Sequence, residues 1–416
     1  MMLRLAAKSL WHRRLTASLV VLSIALAVTL LMGVERIRGA TRTSFAAAVS
    51  GTDLIVAARA SPVHLLLFSV FGIGNPTNNL AAATHRDIAA RPEVAWTIPI
   101  ALGDSHKGYR VVGTSAAFFQ HFRYGEARAL AFQVGGAFAG DDPVILGAAA
   151  ARALGYRVGD AVVLAHGAGD VSFALHDAHP FRVAGILQAT GTPVDRALYV
   201  PLQGLAELHR PANDDEADPL AAAMHGHDAA APEATLTAVF VGLRARNQAL
   251  GVQRALNEWK GEALTAILPA VTLQELWEII GVAENALLAV SALAVAVGLG
   301  SMLVALLTGA NERRREMAIL RSAGATPRDV FTLMMGEAGL LALVGVLLGA
   351  TIVQATFIAG ESWLASRYGL TTGGLVPSGR ELVSLGLIVI AGILIGAVPA
   401  YRAYRQSLAD GMTIRL

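Results

Sequence analysis

Cysteine is absent from all 416 residues. That excludes disulfides, thiolate nucleophiles and cysteine-ligated zinc, and leaves the redox compartment open. Charge is scarce: Asp, Glu, Lys and Arg make up 15% of the chain, against about 25% in soluble domains. Only three lysines occur, Lys8, Lys107 and Lys260, and none completes a Gly-Lys-Ser/Thr phosphate loop. Lys107 and Lys260 are followed by glycine, and Lys8 precedes Ser9 but follows Ala7. Any energy from ATP is therefore expected from another polypeptide. His-Glu-x-x-His, Gly-x-Ser-x-Gly and Ser-x-x-Lys are missing too, so no enzymatic activity is expected. The net charge of +2 gives no field that would draw nucleic acid.

What the chain has instead is apolar length: 54% hydrophobic residues and a mean hydropathy of +0.53. Crossing a bilayer takes about 20 apolar residues in helix. Four stretches qualify, at 15–34, 284–310, 338–360 and 382–400. Their interiors hold no ionisable residue, with Glu284 and Glu337 at span entrances. An ion-coupled carrier needs such groups, so that class is disfavoured. The first span could be read as a cleaved signal peptide, but it exceeds a typical signal-peptide core and no small-x-small cleavage site follows it directly, so a retained anchor is expected.

Flanking arginines orient the spans. Arg4, Lys8, Arg13 and Arg14 precede the first; Arg313, Arg314, Arg315, Arg321 and Arg328 lie between the second and third; Arg402, Arg405 and Arg415 follow the fourth. Segments 1–14, 311–337 and 401–416 are thus expected in the cytoplasm of a bacterial inner-membrane protein. Segments 35–283 and 361–381 are expected outside. Arg36, Arg38 and Arg42 weaken that bias around the first span. Gly345-x-x-x-Gly349 and Gly392-x-x-x-Gly396 allow close helix approach, within one subunit or at a dimer seam.

The long outward segment alternates strand and helix signals, which implies an α+β domain. Strands are expected at 53–57, 143–147, 161–165, 181–187, 197–200 and 236–243, with a helix up to Leu154 that Gly155 terminates and another at 247–259. Acidic, alanine-rich 211–233 is expected to be a mobile insertion. Thr272-Leu-Gln-Glu275 fits a capping box that opens a helix. The stripe Leu273, Leu276, Trp277 and Ile280 then leads into the second span, so one stiff helix would join domain and membrane. Leu65, Leu66, Leu67, Phe68 and Phe71 form a run too short to span. It is either core or an apolar lip for substrate or lipid.

His176 and His179 flank Asp177, and His225 and His227 precede Asp228. Imidazole and carboxylate suit zinc, but no standard spacing is present. Solvated loop and weak metal site both remain open, and a membrane-anchored metalloenzyme has no motif behind it.

Between the second and third spans stand Arg314-Arg315-Glu316, Ile319-Leu320-Arg321, Gly324-Ala325 and Thr326-Pro327-x-Asp329. Glycine breaks one helical piece; threonine, proline and aspartate start the next. Such an elbow can dock in a groove on a soluble protein. With Glu337 ahead of the third span, Val398-Pro-Ala-Tyr-Arg402 and Asp410-Gly-Met412 after the fourth, and Val144-Ile-Leu-Gly147, Gly155-x-x-x-Gly-Asp160 and Thr192-Pro-Val-Asp195 outside, the chain resembles the MacB/FtsX-type permeases. That family includes the lipoprotein-release subunits LolC and LolE. The resemblance implies four membrane helices, one plus three, with an α+β MacB-type core domain. It further implies a second permease copy, a separate ABC ATPase holding ATP and magnesium, and a periplasmic or outer-membrane partner. Motion is transmitted in such a permease, for export or extraction of a lipoprotein, peptide or other lipophilic substrate. The alternative is a scaffold that activates a periplasmic partner such as a cell-wall hydrolase.

Overall fold

The computed structural model describes residues 14–140, 142–166, 174–175, 180–208, 235–312, 319, 322, 324–368 and 377–405. The chain divides into two units. One holds Met1–Gly39, Gly281–Glu361 and Thr372–Leu416, the other Ala40–Ile280 and Ser362–Thr371. Three helices cross a unit boundary without a break: α1 (Arg14–Ala48), α8 (Pro269–Glu312) and α9 (Pro327–Tyr368).

In the first unit, α1 and α8 are joined by α9 (Pro327–Tyr368) and α10 (Gly379–Arg405). All four are long and apolar enough to cross a membrane. Leu15, Val282, Val297 and Leu387 are among the many large apolar side chains they leave exposed, as helices solvated by lipid do. The expected spans lie inside these longer helices. Arg36 and Arg38, which disturb the charge bias, are matched locally. Arg36 donates through Nε to Glu381 Oε1 at 2.8 Å and through NH1 to Gln354 Oε1 at 2.8 Å. Arg38 Nε donates to Glu284 Oε2 at 2.8 Å. One turn of α1 is thereby tied to α8, α9 and α10.

The second unit is built on a mixed sheet. Its strands are β1 (Leu54–Ala58), β2 (Val94–His106), β3 (Tyr109–Thr114), β6 (Phe132–Gly135), β7 (Pro143–Leu146), β8 (Ala161–Val162), β9 (Ala165–His166), β10 (Ala174–Leu175), β11 (Phe181–Leu187), β12 (Ala197–Pro201), β13 (Ala238–Leu243) and β14 (Leu264–Ile267), while β4 (Arg123–Tyr124) and β5 (Arg128–Ala129) form a small ribbon. The main order is β14-β1-β13-β2-β3-β12-β7-β11-β6. β12 with β3 and β11 with β7 run parallel, and the other pairs run antiparallel.

β1, β7, β12 and β13 are buried on both faces and carry apolar residues at successive positions, whereas β11 alternates and β6 is largely exposed. Alternation splits each strand between two cores. Ile55, Ala57, Ala238, Phe240, Ala197 and Tyr199 join one core with α2 (Pro62–Val70), α4 (Ala117–His121), the end of α1 and the start of α8. Leu54, Val56, Val239 and Val241 face the other way, toward α3 (Ala82–Ala89) and α7 (Ala249–Asn257). Leu198 and Val200 meet α5 (Ala148–Leu154) and α6 (Leu202–Leu208) on that same side.

Several local expectations hold. Gly155 ends α5 in the left-handed region at φ 73°, and Leu273, Leu276, Trp277 and Ile280 do pack on the core. Others need correction. The capping box does not open α8. The helix starts at Pro269, whose fixed φ and missing donor suit a first-turn position, and buried Thr272 sends its amide to Leu268 O at 3.0 Å. The expected strand at 161–165 is two short pieces, β8 and β9. The lip at 65–71 is core instead: it forms α2, capped by Ser61, with Leu65, Leu66, Phe68 and Phe71 buried and Leu67 packed beside them. Phe45 of α1 stacks on Phe71 at 4.0 Å within that core.

Candidate functional site

A cleft of about 810 Å3 opens over one face of the sheet, wholly within the second unit. Four neighbouring strands make its floor: Phe240 from β13, Ile100, Leu102 and Asp104 from β2, Val112 and Arg110 from β3, Ala197 and Tyr199 from β12. On β3, β12 and β2 up to Leu102 these are alternate residues, as one face of a pleated sheet requires; beyond Leu102 the register of β2 slips and Gly103, Asp104 and Ser105 all line the wall. Thr41, Phe45 and Ala48 of α1 cover it, with Phe68 and Phe71 at the end of α2 and Phe118 and Phe122 of and beside α4.

The register gives the cleft two ends. Leu102 and Tyr199 both pair with Val112, forming an apolar row. Ser105 and Ala197 both pair with Arg110 at the other end, where Asp104, Arg196 and Asn75 also line the wall. The apolar end is closed by rings. Phe118 stacks on Tyr199 at 4.7 Å and on Phe122 at 4.9 Å. Burial pushes the Tyr199 phenol well above its ordinary range, and its hydroxyl donates to Val194 O at 3.3 Å.

One wall is a loop shaped by two of the sequence motifs. The Asp195 carboxylate accepts from Thr190 N, Gly191 N and Thr190 Oγ1, each at 2.8 Å. Burial raises its affinity for a proton and those hydrogen bonds oppose the shift. Ser44 Oγ of α1 donates to Gly191 O at 2.7 Å. Gly147 donates to Ala197 O at 2.9 Å, and a Cβ there would collide with the backbone of Val194 and Asp195. The Val144–Gly147 and Thr192–Asp195 motifs are therefore two halves of one contact. That contact presents Pro193 and Val194 to the cleft.

Arg110 differs from the other polar residues of the wall. Its NH2 donates to Gly74 O at 2.8 Å and reaches Asn75 Oδ1 at 3.4 Å. No carboxylate among the described residues pairs with it. Burial lowers its proton affinity. Asp104 and Arg196 engage partners of their own. No local pattern in the sequence marks Arg110, which sits in an ordinary strand, Tyr-Arg-Val-Val.

The elbow is described in part. Arg314, Arg315, Glu316, Leu320 and Arg321 lie outside the described residues. Ile319 is exposed. Gly324 stands at φ 100°, a conformation that needs glycine. Ala325 leads into the cap, where Asp329 Oδ2 accepts from Thr326 N and Oγ1, both at 2.8 Å, and Pro327 opens α9. His176, His179, His225 and His227 also lie outside the described residues. Among the described ones, no group of three metal-ligating side chains occurs.

All four glycines of the two Gly-x-x-x-Gly motifs make close contacts within the chain. A Cβ on Gly345 would stand 2.8 Å from Ile24, and one on Gly349 2.6 Å from Ala25 O, both on α1. Cβ atoms on Gly392 and Gly396 would overlap Ala342 and Ala338 of α9. These positions seat α1 and α10 on α9, so the dimer-seam reading of the glycines is not supported.

The family model for the MacB-like periplasmic core domain matches residues 15–256, more than half of the chain, and that for the FtsX-like permease C-terminal region matches 288–408. Among solved structures, the periplasmic region of MacB from Actinobacillus actinomycetemcomitans is 12% identical, with a TM-score of 0.33; the match covers 55% of this chain and 94% of that one. The extracellular domain of the noncanonic ABC-type transporter YknZ from Gram-positive bacteria is 14% identical, with a TM-score of 0.30, covering 52% and 99%. No curated protein matches the chain.

Proposed function

This chain belongs to the MacB/FtsX-type ABC transporter permeases, and from that premise we propose that it is a motion-transmitting subunit driven by an ATPase on a separate polypeptide. The ATPase docks on the elbow at 311–329, both termini and that elbow lie in the cytoplasm, and the α+β unit works outside. ATP and magnesium stay on the ATPase. Two copies of the permease flank the path. The output is export or extraction of a lipophilic or peptide-like substrate.

Helix continuity carries this reading. α1 and α8 run unbroken from membrane-length segments into residues packed in the α+β unit. Phe45 of α1 stacks on Phe71 and lies 5.6 Å from the Trp277 ring of α8. A helix resists bending at its hydrogen-bonded interior, so displacement of its membrane part is delivered to the cover of the cleft. The cleft itself favours a ligand-handling output over pure signalling, since it offers a small molecule an apolar bed.

Docking is tested by purifying the permease from its own host and measuring the ATPase that accompanies it. Glu316→Ala with Arg321→Ala should remove most of that ATPase while leaving the yield of folded permease unchanged. Full retention of the ATPase by the double variant would place the dock elsewhere.

A further inference from the structure

The cleft of the α+β unit is more specific than an apolar hollow. Its volume lies within the roughly 300–1,000 Å3 usual for small-molecule sites. Along the strand axis it passes from an aromatic row, Phe118, Phe122 and Tyr199 over Val112, to a polar end at Arg110. Among the described residues that line the cleft, the charged ones are Arg110, Arg196 and Asp104, two positive and one negative. Asp104 and Arg196 are engaged already. Among the described residues, Arg110 meets only the neutral acceptors Gly74 O and Asn75 Oδ1, both through NH2, which leaves its Nε and NH1 hydrogens open to solvent or ligand.

A half-buried guanidinium with no carboxylate partner among the described residues gains from an anion that reaches it. Here it stands at one end of a bed lined by rings. The pairing of a fixed cation with an extended apolar surface matches a ligand that has an anionic head and one flexible hydrocarbon chain. An uncharged chain would leave Arg110 unmatched, and a short anion would leave the aromatic row unfilled.

We propose that the cleft binds a single-chain anionic amphiphile, its carboxylate or phosphate on Arg110 and its acyl chain along Val112, Tyr199, Phe118 and Phe122. This rests on the export or extraction reading and names the substrate chemistry for it. The head could belong to a free fatty acid or to a lysophospholipid, which share this arrangement.

The test uses the full chain in lipid nanodiscs without any ATPase, so docking on the elbow plays no part in it. Dansyl-labelled undecanoic acid is the probe, with empty nanodiscs subtracting its partition into lipid. Probe fluorescence should rise and shift to the blue on binding, and laurate should displace it. Arg110→Gln should weaken laurate by about tenfold to a hundredfold, the range expected for losing a hydrogen-bonded ion contact, and Arg110→Lys should recover most of that loss. Dodecanol, which has the chain without the charge, should compete weakly and equally with wild type and Arg110→Gln. Stronger displacement by lysophosphatidic acid than by laurate would assign a phosphate head; the reverse would assign a carboxylate. Thermal melts of the same samples show whether each variant is folded. Absence of saturable probe binding to folded wild type would overturn the proposal. So would equal laurate affinity in wild type and folded Arg110→Gln. Either result would leave co-purification of the ATPase, and with it the permease reading, intact.

Discussion

At the scale of single residues, burial sets the ionic behaviour of the α+β unit. His106 Nδ1 lies 2.6 Å from Val163 O and its Nε2 3.0 Å from Tyr156 Oη, and His85 Nε2 lies 3.0 Å from Thr97 Oγ1. Burial is the main cause that pulls both below the ordinary value of 6.5; Lys107 adds to it for His106, against the Val163 hydrogen bond, and Arg86 adds to it for His85. A base with a depressed folded pKa contributes stability above its unfolded value, and that contribution is lost as pH falls through the folded value. Acidifying from neutral to below 6.5 should therefore lower the melting temperature of the full chain. His106→Gln cannot take up that proton and should lose less over the same interval. Identical pH profiles for the two proteins would show that His106 does not titrate as its surroundings imply. Residue-scale chemistry of this kind is poorly legible in a sequence. His106 and Tyr156 are far apart along the chain, as are Arg110 and Tyr199, and only the register of β3 with β12 brings the latter pair to one floor.

At the scale of elements, the membrane glycines give the sharpest contrast. Gly349→Leu and Gly396→Leu put a side chain where Ala25 O and Ala338 already stand, whereas Gly360 and Gly386 have nothing within 4 Å of an added Cβ. Leucine is also a better helix former than glycine. The first two substitutions should destabilise by about 1–3 kcal/mol through overpacking, and the second two should be neutral or slightly stabilising, as read by thermal loss of folded monomer in detergent. If Gly349 and Gly396 instead lined a seam between copies, the substitutions would split a dimer and leave the monomer's melt unchanged. The strands divide in the same informative way. β1, β7, β12 and β13 were legible because burial on both faces makes them apolar runs, and β11 because its buried and less buried residues alternate. β2, the longest strand, was not. Pro99, Gly103 and Asp104 interrupt it, and its ladder with β3 slips between Leu102 and Ser105. Those interruptions weaken the local strand signal, and pairing with β13 and β3 overrides them. The cleft was illegible for the same reason: its floor depends on β2 and β3, and its cover on the last turns of a helix that hydropathy marks only as a membrane span.

At the scale of the whole molecule, the question is whether α1 and α8 act as conduits or only as tethers. A tether tolerates a break in its hydrogen-bond ladder; a conduit does not. Val282 is suited to the test because it is exposed and lies just beyond the unit boundary at Ile280 and Gly281, so proline there removes no core side chain. Its ring would displace the carbonyl four residues back and end one ladder bond, at about 3 kcal/mol of local helix stability. With the ATPase bound, Val282→Pro should leave co-purification and basal ATP hydrolysis near wild type. ATP is expected to change the protease protection of residues 40–280 in wild type; Val282→Pro should abolish that change and Val282→Ala should preserve it. This separates transmission from docking, because Glu316→Ala with Arg321→Ala loses the ATPase itself. It also separates transmission from ligand binding, because laurate affinity is measured without nucleotide. A Val282→Pro protein that keeps the full nucleotide response would mean that α8 is a tether, leaving α1, with its arginine ties to the other three membrane helices, as the remaining route by which hydrolysis could move the cover of the cleft.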